Sequence, residues 1–407
     1  MQQDAAPTLP EPPIPCEVLY RWSRLDWQFE HPEDRADFLA HEYWRGALPA
    51  GVKFDRDGTC YVSVPRWSPG IPATVNRIEV VDGRPLLVPY PSPAMNRVGA
   101  PEALQSVLGW EIDEHNRAWL LDQGHVVGAP NGLGDQKLVC WDITANRLVE
   151  SIPIPHAVAA FNASFLNDLA VDNHHGVVYI ADSGIFTDPL QGGLIVFDMN
   201  TRSLRRLLHQ HPSTQDEPGF RFEIAGRPVR RDQPMRTGAD GIALSADRQT
   251  LYWCPLTGRH LYAIDTALLR DPDVSEAEIA AGVRDLGEKR GPAGGTNSDG
   301  LGADALGNLW YTMLEGRGVG VYRPRQGTFT PLLHDPRMCW VDGLTFDNGG
   351  YIVFNSNRLH QMVDGDMDWD DPDNFIVWRA FLGASSQSYL YWPGAAITDA
   401  SINANPQ

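Results

Sequence analysis

A strand, an Asp or Gly turn and a second strand recur six times along this chain, and that repetition restricts the fold more than any other feature. The copies run from Gly51-Val-Lys-Phe-Asp to Val62, Gly109-Trp-Glu-Ile-Asp to Leu121, Asp168-Leu-Ala-Val-Asp to Ala181, Asp240-Gly-Ile-Ala-Leu to Cys254, Asp299-Gly-Leu-Gly-Ala-Asp to Thr312, and Asp342-Gly-Leu-Thr-Phe-Asp to Asn355. Their starts lie 58, 59, 72, 59 and 43 residues apart, enough for four short strands and their loops. A four-stranded sheet of that size is a propeller blade, and six closed in a ring leave only short, protected edges. The repeat therefore predicts an all-β fold, a six-bladed β-propeller over residues 18–395, with 1–17 as a flexible lead-in and 396–407 as a tail. At 407 residues the chain is long for one domain, but repeat-built β folds reach this length as a single body.

Strand composition agrees. In Leu309-Trp-Tyr-Thr-Met and Val177-Val-Tyr-Ile-Ala, β-branched and aromatic residues occupy both faces, as expected where each sheet packs between two neighbours. A third strand ending in Asp follows several hairpins, as in Leu194-Ile-Val-Phe-Asp198 and Leu138-Val-Cys-Trp-Asp142. Helical periodicity is confined to Pro32–Trp44 and Asp273–Val283, which read as insertions.

Charge and motif content exclude several classes. With 33 Lys and Arg against 52 Asp and Glu, the formal charge of -19 repels phosphate backbones and anionic lipid, so neither nucleic acid nor membrane is an expected partner. No apolar run approaches the roughly 18 residues of a membrane span. Met1–Pro15 lacks the features of a signal peptide; secretion is expected if one has been trimmed, a cytoplasmic location otherwise. Cys16, Cys60, Cys140, Cys254 and Cys339 are odd in number and scattered through strands, which favours free thiols, and ring closure favours a monomer. CxxC, HExxH, P-loop and GxSxG patterns are absent. Gly316, Gly318 and Gly320 sit inside a hairpin, a weak dinucleotide signal. Six Asp between Asp364 and Asp373 place Trp369 and Phe375 where an EF-hand needs Gly and Glu, so this stretch reads as a solvated acidic loop. Asn162-Ala-Ser164 is a sequon that matters only in a secreted chain.

Several strings go beyond the repeat: Val64-Pro-Arg-Trp-Ser-Pro-Gly-Ile-Pro-Ala-Thr-Val-Asn76, Pro89-Tyr-Pro-Ser-Pro-Ala-Met-Asn96, Ala118-Trp-Leu-Leu-Asp-Gln-Gly124, Ser164-Phe-Leu-Asn-Asp168 with Tyr179-Ile-Ala-Asp-Ser-Gly184, and Ala239-Asp-Gly-Ile-Ala-Leu-Ser245. In this order, from about Trp22 to Trp378, they resemble the major royal jelly protein / yellow family. The resemblance implies a six-bladed propeller. It also implies a choice of functions, because that family holds dopachrome-converting enzymes, salivary binders of biogenic amines, and food or structural proteins, among which fold does not select. Pro93 stands where insect members commonly have Trp, and secretion-type disulfides are not evident, so the chain looks like a microbial-type member. In the amine binders, ligand contacts come from the fifth-blade region, here Thr296-Asn297 and Tyr311-Thr312-Met313.

Propellers bind ligands at one mouth of the central channel, where the starts of the innermost strands converge. Those starts supply Asn167, Asp168, Asp240, Asp299 and Asp342, with Asp122 and Asp182 at the ends of neighbouring strands. So many carboxylates cannot all remain charged and unpaired, although an Asp-Gly at such a place also simply makes a turn. His156 is the histidine expected nearest the mouth. The expected catalytic set is His156, Asp240 and Asp299, and the expected ligand-binding set is Asp122, Asn167, Asp168, Asp182, Thr296, Thr312 and Asp342. Trp67, Phe161, Phe186, Trp253, Trp310, Tyr311 and Trp340 are available to stack a ring, and Arg66 either pairs an anion or ties blade one to blade two through carbonyls. Calcium is the one cofactor left open, with Asn167, Asp240 and Asp299 as ligands; the first inner strand lacks the Glu that calcium lactonases of six-bladed propeller type place there. Three readings follow: a cofactor-free tautomerase or isomerase acting on a small aromatic or quinonoid molecule, a binding protein for an amine, and a calcium-dependent lactonase.

Overall fold

In the computed structural model, which describes residues 14–129, 135–384 and 386–391, the chain forms six four-stranded antiparallel sheets. The innermost strands are Val52–Phe54, Val107–Ile112, Leu166–Asp172, Ala239–Leu244, Leu301–Ala303 and Val341–Phe346. These are the six repeats, and the protein is the six-bladed propeller that they predict. In each of blades one to five the four strands follow one another in sequence. Blade six takes its outermost strand, Cys16–Trp22, from the other end of the chain, where it pairs with Phe375–Phe381. Strand structure thus begins two residues inside the segment expected to be lead-in. Residues 1–13 and 392–407 lie outside the described residues.

Aligning the blades on this fold explains the repeat at atomic level. Each inner hairpin turns at an Asp or Ser that accepts backbone N–H groups of the turn: Asp55 from Asp57 and Thr59, Asp113 from His115 and Arg117, Asp172 from His175, Asp304 from Leu306 and Asn308, Asp347 from Gly349 and Tyr351, and Ser245 from Thr250. In three blades the second carboxylate oxygen also accepts from a ring six residues on: Tyr61 OH, Trp119 Nε1 and Trp310 Nε1, each at 2.8 Å. These aspartates therefore fix both the turn and the rotamer of a buried aromatic. Trp253 and Tyr311 are likewise buried packing residues, giving their polar hydrogens to the carbonyls of Ser213 and Arg290.

Four residues before each turn Asp or Ser lies a ring of positions about the axis: Gly51, Gly109, Asp168, Gly241, Gly300 and Gly343. Five are glycine, and the reason is distance. A Cβ at Gly109 would stand 2.2 Å from the Asn167 carbonyl oxygen, at Gly241 2.3 Å from that of Asp299, and at Gly300 2.5 Å from that of Asp342. The Gly of each Asp-Gly pair serves the close approach of one blade to the next, and Asp240-Gly241 and Asp342-Gly343 lie inside strands, not in the turns their composition suggests. Pairing registers slip between Val107 and Trp110, Leu166 and Leu169, Ala239 and Ile242, and Val341 and Leu344. Bulges at these starts turn the residue before the glycine position towards the channel mouth.

Helices are insertions, as expected. Pro32–Ala40 and Glu276–Ala281 form, the latter with a capping box between Ser275 and Glu278. The short helices Thr266–Arg270 and Leu359–Asp364 carry no comparable periodic signal. The acidic stretch is not simply solvated: Asp370 pairs with Arg24, Asp371 with Arg358, Asp373 with Arg21 and Arg337, and Asp366 with Arg227. Gly320 makes room for the Tyr311 ring, so the Gly316–Gly320 pattern is a packing feature. All five cysteines are free. At the far end of the channel, Tyr389 donates to the Val171 carbonyl at 2.8 Å and accepts from its N–H at 3.1 Å, while Ala305 N–H binds the Gln387 carbonyl. The last described segment therefore spans the lower ends of blades three and five.

Gly241→Ala, which forces a methyl onto the Asp299 carbonyl, is expected to destabilise the fold by about 1–3 kcal/mol. Gly83, in an open turn with no neighbouring atom within 4 Å, tolerates Asn at its φ of 74° with little loss. Urea denaturation of both variants checks the contrast.

Candidate functional site

The channel opens at one mouth into a cavity of about 720 Å³. Its floor is built by the residues preceding the glycine ring: Leu108, Asn167, Asp240, Asp299 and Asp342. The polarity is one-sided. Blades three to six contribute the amide and three carboxylates, whereas blades one and two contribute Ala50 and Leu108 at the same ring positions. Trp67, Phe165, Phe186, Met235, Leu256, Trp340, Leu359 and Val363 supply the apolar walls.

Asn167 Nδ2 donates to Asp240 Oδ2 at 2.7 Å and to Ser183 Oγ at 3.1 Å. Trp340 Nε1 donates to Asp299 Oδ2 at 2.7 Å, and Asn357 Nδ2 to Asp342 Oδ2 at 2.5 Å. Thr312 Oγ1 accepts from the N–H groups of Asp299 and Gly300, so it positions Asp299 from behind and does not line the cavity. Burial pushes the Asp240 carboxyl well above its ordinary range, and the neighbouring carboxylates of Asp299 and Asp342 push it further. Asp299 is raised by burial to about 6, held down by its bonds to Trp340 and Asp240. Asp342 is raised by burial and by Asp299, against its bond from Asn357. Asp240 and Asp299 thus act on one another's proton affinity, so that the two do not ionise independently.

Asp168 occupies the one ring position that is not glycine. It lines a space of about 30 Å³ beneath the floor, beside Lys53, which pairs with Glu111 at 3.2 Å. Gly109 leaves room for it: a Cβ there would lie 2.6 Å from Asp168 Oδ1. Burial raises Asp168 to about 7, against Lys53 and its own bond from Leu169 N–H.

The structure separates the remaining expected residues from this cavity. Asp122 accepts from the N–H groups of Gln105, Ser106 and Gly124, and Asp182 from those of Phe165 and Gly184 and from Arg206; both are buried staples. Thr296 is buried, donating to the Asn297 carbonyl. His156 is exposed and does not line the cavity; its ring lies 6.3 Å from that of Phe161. The histidine that does line the cavity is His125, stacked on Phe161 at 3.8 Å; burial lowers its pKa, so the imidazole is neutral, and its Nε2 is buried with no partner among the described residues. Arg66 takes the structural alternative, donating to the carbonyls of Ile71, Pro72, Asn96, Leu104 and Gln105. Among the described residues, no group of three or more His, Cys, Asp and Glu side chains is arranged to hold a metal ion.

Residues 105–386 match the model of the major royal jelly protein family. The chain belongs to this family. It is 29% identical to major royal jelly protein 1 of Apis mellifera over 89% of this chain and 86% of that one, and 26% identical to protein yellow of Drosophila pseudoobscura pseudoobscura over 89% of this chain and 66% of that one. A gluconolactonase from Xanthomonas campestris superposes with a TM-score of 0.51 at 13% identity, covering 94% of this chain and 99% of its own; this likeness concerns the fold. Within this royal-jelly-type propeller, the rim over blades three to six is built by two insertions. Arg230 to Thr237 come from the segment before blade four, and Leu359 and Val363 from the helix Leu359–Asp364. Arg227 pairs with Asp366, and Arg230 N–H with the Asp364 carboxylate, across the two.

Asp168 and Asp299 give a signed pH effect. An unfolded chain releases these protons near pH 4, whereas the folded protein holds them to about 7 and about 6. Their contribution to stability is therefore greatest below about pH 4 and is lost as pH rises to 7. Thermal melts from pH 4 to 8 are expected to fall less steeply in Asp168→Asn than in the native protein.

Proposed function

We propose that this propeller takes a small aromatic or quinonoid molecule into the mouth cavity and moves a proton on it without a cofactor, as a tautomerase. The observation that carries this reading is that two buried carboxyls, Asp240 and Asp299, stand together on the floor of an aromatic cavity, both raised by burial and each acting on the other. Two carboxyls whose surroundings push their proton affinities apart divide naturally into acid and base. Asp299 removes a proton from a carbon or heteroatom of the ligand, electrons shift through its conjugated system, and Asp240 returns a proton elsewhere on the same molecule. Nothing is oxidised or reduced, and a further proton exchange between the two carboxyls restores the starting state. Trp67, Phe165, Phe186 and Trp340 exclude water and hold the ring.

A second reading is favoured by the same floor: three carboxylates facing an aromatic cavity suit an amine that is bound and not converted. Turnover decides between them. With dopachrome followed by absorbance, Asp240→Asn and Asp299→Asn are expected to lower the rate by roughly 10²-fold or more, while His156→Ala leaves it unchanged. If the protein only binds, the substrate is not consumed, and the same Asp variants weaken ligand affinity by about 1–3 kcal/mol. Loss of activity with EDTA would instead favour a calcium-dependent hydrolase.

A further inference from the structure

Two of the donors that answer the floor carboxyls, Trp340 and Asn357, leave the backbone at one corner, just beyond Val341 and Ser356, the end pair of two neighbouring strands of blade six. The N–H of Asn357 binds the Trp340 carbonyl at 3.1 Å, and the N–H of Arg358 binds that of Cys339 at 3.2 Å. Trp340 and Arg358 both take left-handed backbone, with φ of 56° and 53°. That region is unfavourable for a large side chain, so the surroundings must impose it. From this corner the buried Trp340 indole, beside the rings of Phe222 and His360, gives its Nε1–H to Asp299 at 2.7 Å. The Asn357 amide is fixed as well: Oδ1 accepts from Leu359 N–H at 3.1 Å, which leaves Nδ2 to donate to Asp342 and to the Pro49 carbonyl.

One side chain ties this corner to the acidic stretch Asp364–Asp373. Arg358, largely buried, donates through Nη1 to Asp371 Oδ2 at 2.7 Å, its one carboxylate partner among the described residues. Asp371 is held in turn by the Asp373 N–H, which binds its other oxygen at 2.9 Å. Resting on the reading that Asp299 exchanges a proton with the ligand, we propose that Trp340 is the positioning residue for Asp299, and that Asp371 keeps it in place through Arg358. The acidic stretch then serves the site although none of its residues lines the cavity. An indole N–H stabilises the ionised form of the carboxyl that accepts it, so loosening the corner raises the proton affinity of Asp299. The other ionisable groups coupled to Asp299 are Asp240, Asp342, Asp168 and the Cys254 thiol, which burial pushes up, and a change at Asp371 alters none of them.

The indole N–H resonances of isotope-labelled protein, followed by NMR from pH 4 to 8, test this. The Trp340 signal is expected to move with a midpoint of about 6 as Asp299 ionises, and to stop moving in Asp299→Asn. It is identified by its absence from Trp340→Phe or, should that variant not fold, by its loss of titration in Asp299→Asn. Asp371→Asn is expected to raise the midpoint by roughly half a pH unit or more, about a threefold gain in proton affinity. Asp370→Asn removes the same charge from the same stretch, where it pairs with Arg24, and is expected to leave the midpoint in place. Urea denaturation confirms that both variants are folded when they are compared. No indole signal that follows Asp299 overturns the role of Trp340, and equal effects of Asp370→Asn and Asp371→Asn overturn that of Asp371. The expected titration in a protein that leaves dopachrome unchanged overturns the tautomerase reading alone.

Discussion

Everything at the functional end of this propeller depends on how closely six inner strands approach one another around the axis. At Gly109, Gly241 and Gly300 a backbone carbonyl of the next blade stands against the place of a Cβ, and at Gly51 and Gly343 the neighbouring blade comes to 3.0 Å of it, so five of six ring positions hold glycine. That contact sets the channel radius, and the bulges beside it aim the preceding residues at the mouth. A wider ring would spread Asp240, Asp299 and Asp342 until each was hydrated alone. The tight one makes them compete for protons.

Aspartates in this chain divide into two populations by what satisfies them. Asp55, Asp113, Asp122, Asp182 and Asp304 take backbone N–H groups, often with a ring or guanidinium added, and act as rivets. Asp240, Asp299 and Asp342 are answered by single side-chain donors from Asn167, Trp340 and Asn357. A buried carboxylate with one donor is costly as an anion, so it keeps a proton or awaits a partner. Chemistry belongs to the second population.

The periodic part of the structure was legible in the sequence. Six strand–turn–strand copies place the inner strands and, through them, Asn167, Asp240, Asp299 and Asp342. What periodicity does not carry is which polar group already has a partner. Asp122 and Asp182 look like channel residues until their bonds from neighbouring backbone are seen. Their only local sign is a glycine two residues on, Gly124 and Gly184, whose N–H returns to the carboxylate. Arg230, Met235 and Leu359 come from insertions that repeat nowhere, and His125 follows a strand end where no other blade has a histidine. Side-chain direction in such segments is decided by long-range contacts such as Arg227 with Asp366.

The exchange of strands between the two chain ends has a kinetic consequence. Cys16 pairs with Ala380, so the sixth sheet cannot be completed until the chain has been made through Phe381. Blades one to five can assemble in order as they emerge, each from contiguous strands. Until Phe375–Phe381 arrives, however, the ring remains an open arc, with Tyr351–Ser356 as an unpaired edge and Cys16–Trp22 without its partner, the form in which such a chain is exposed to aggregation.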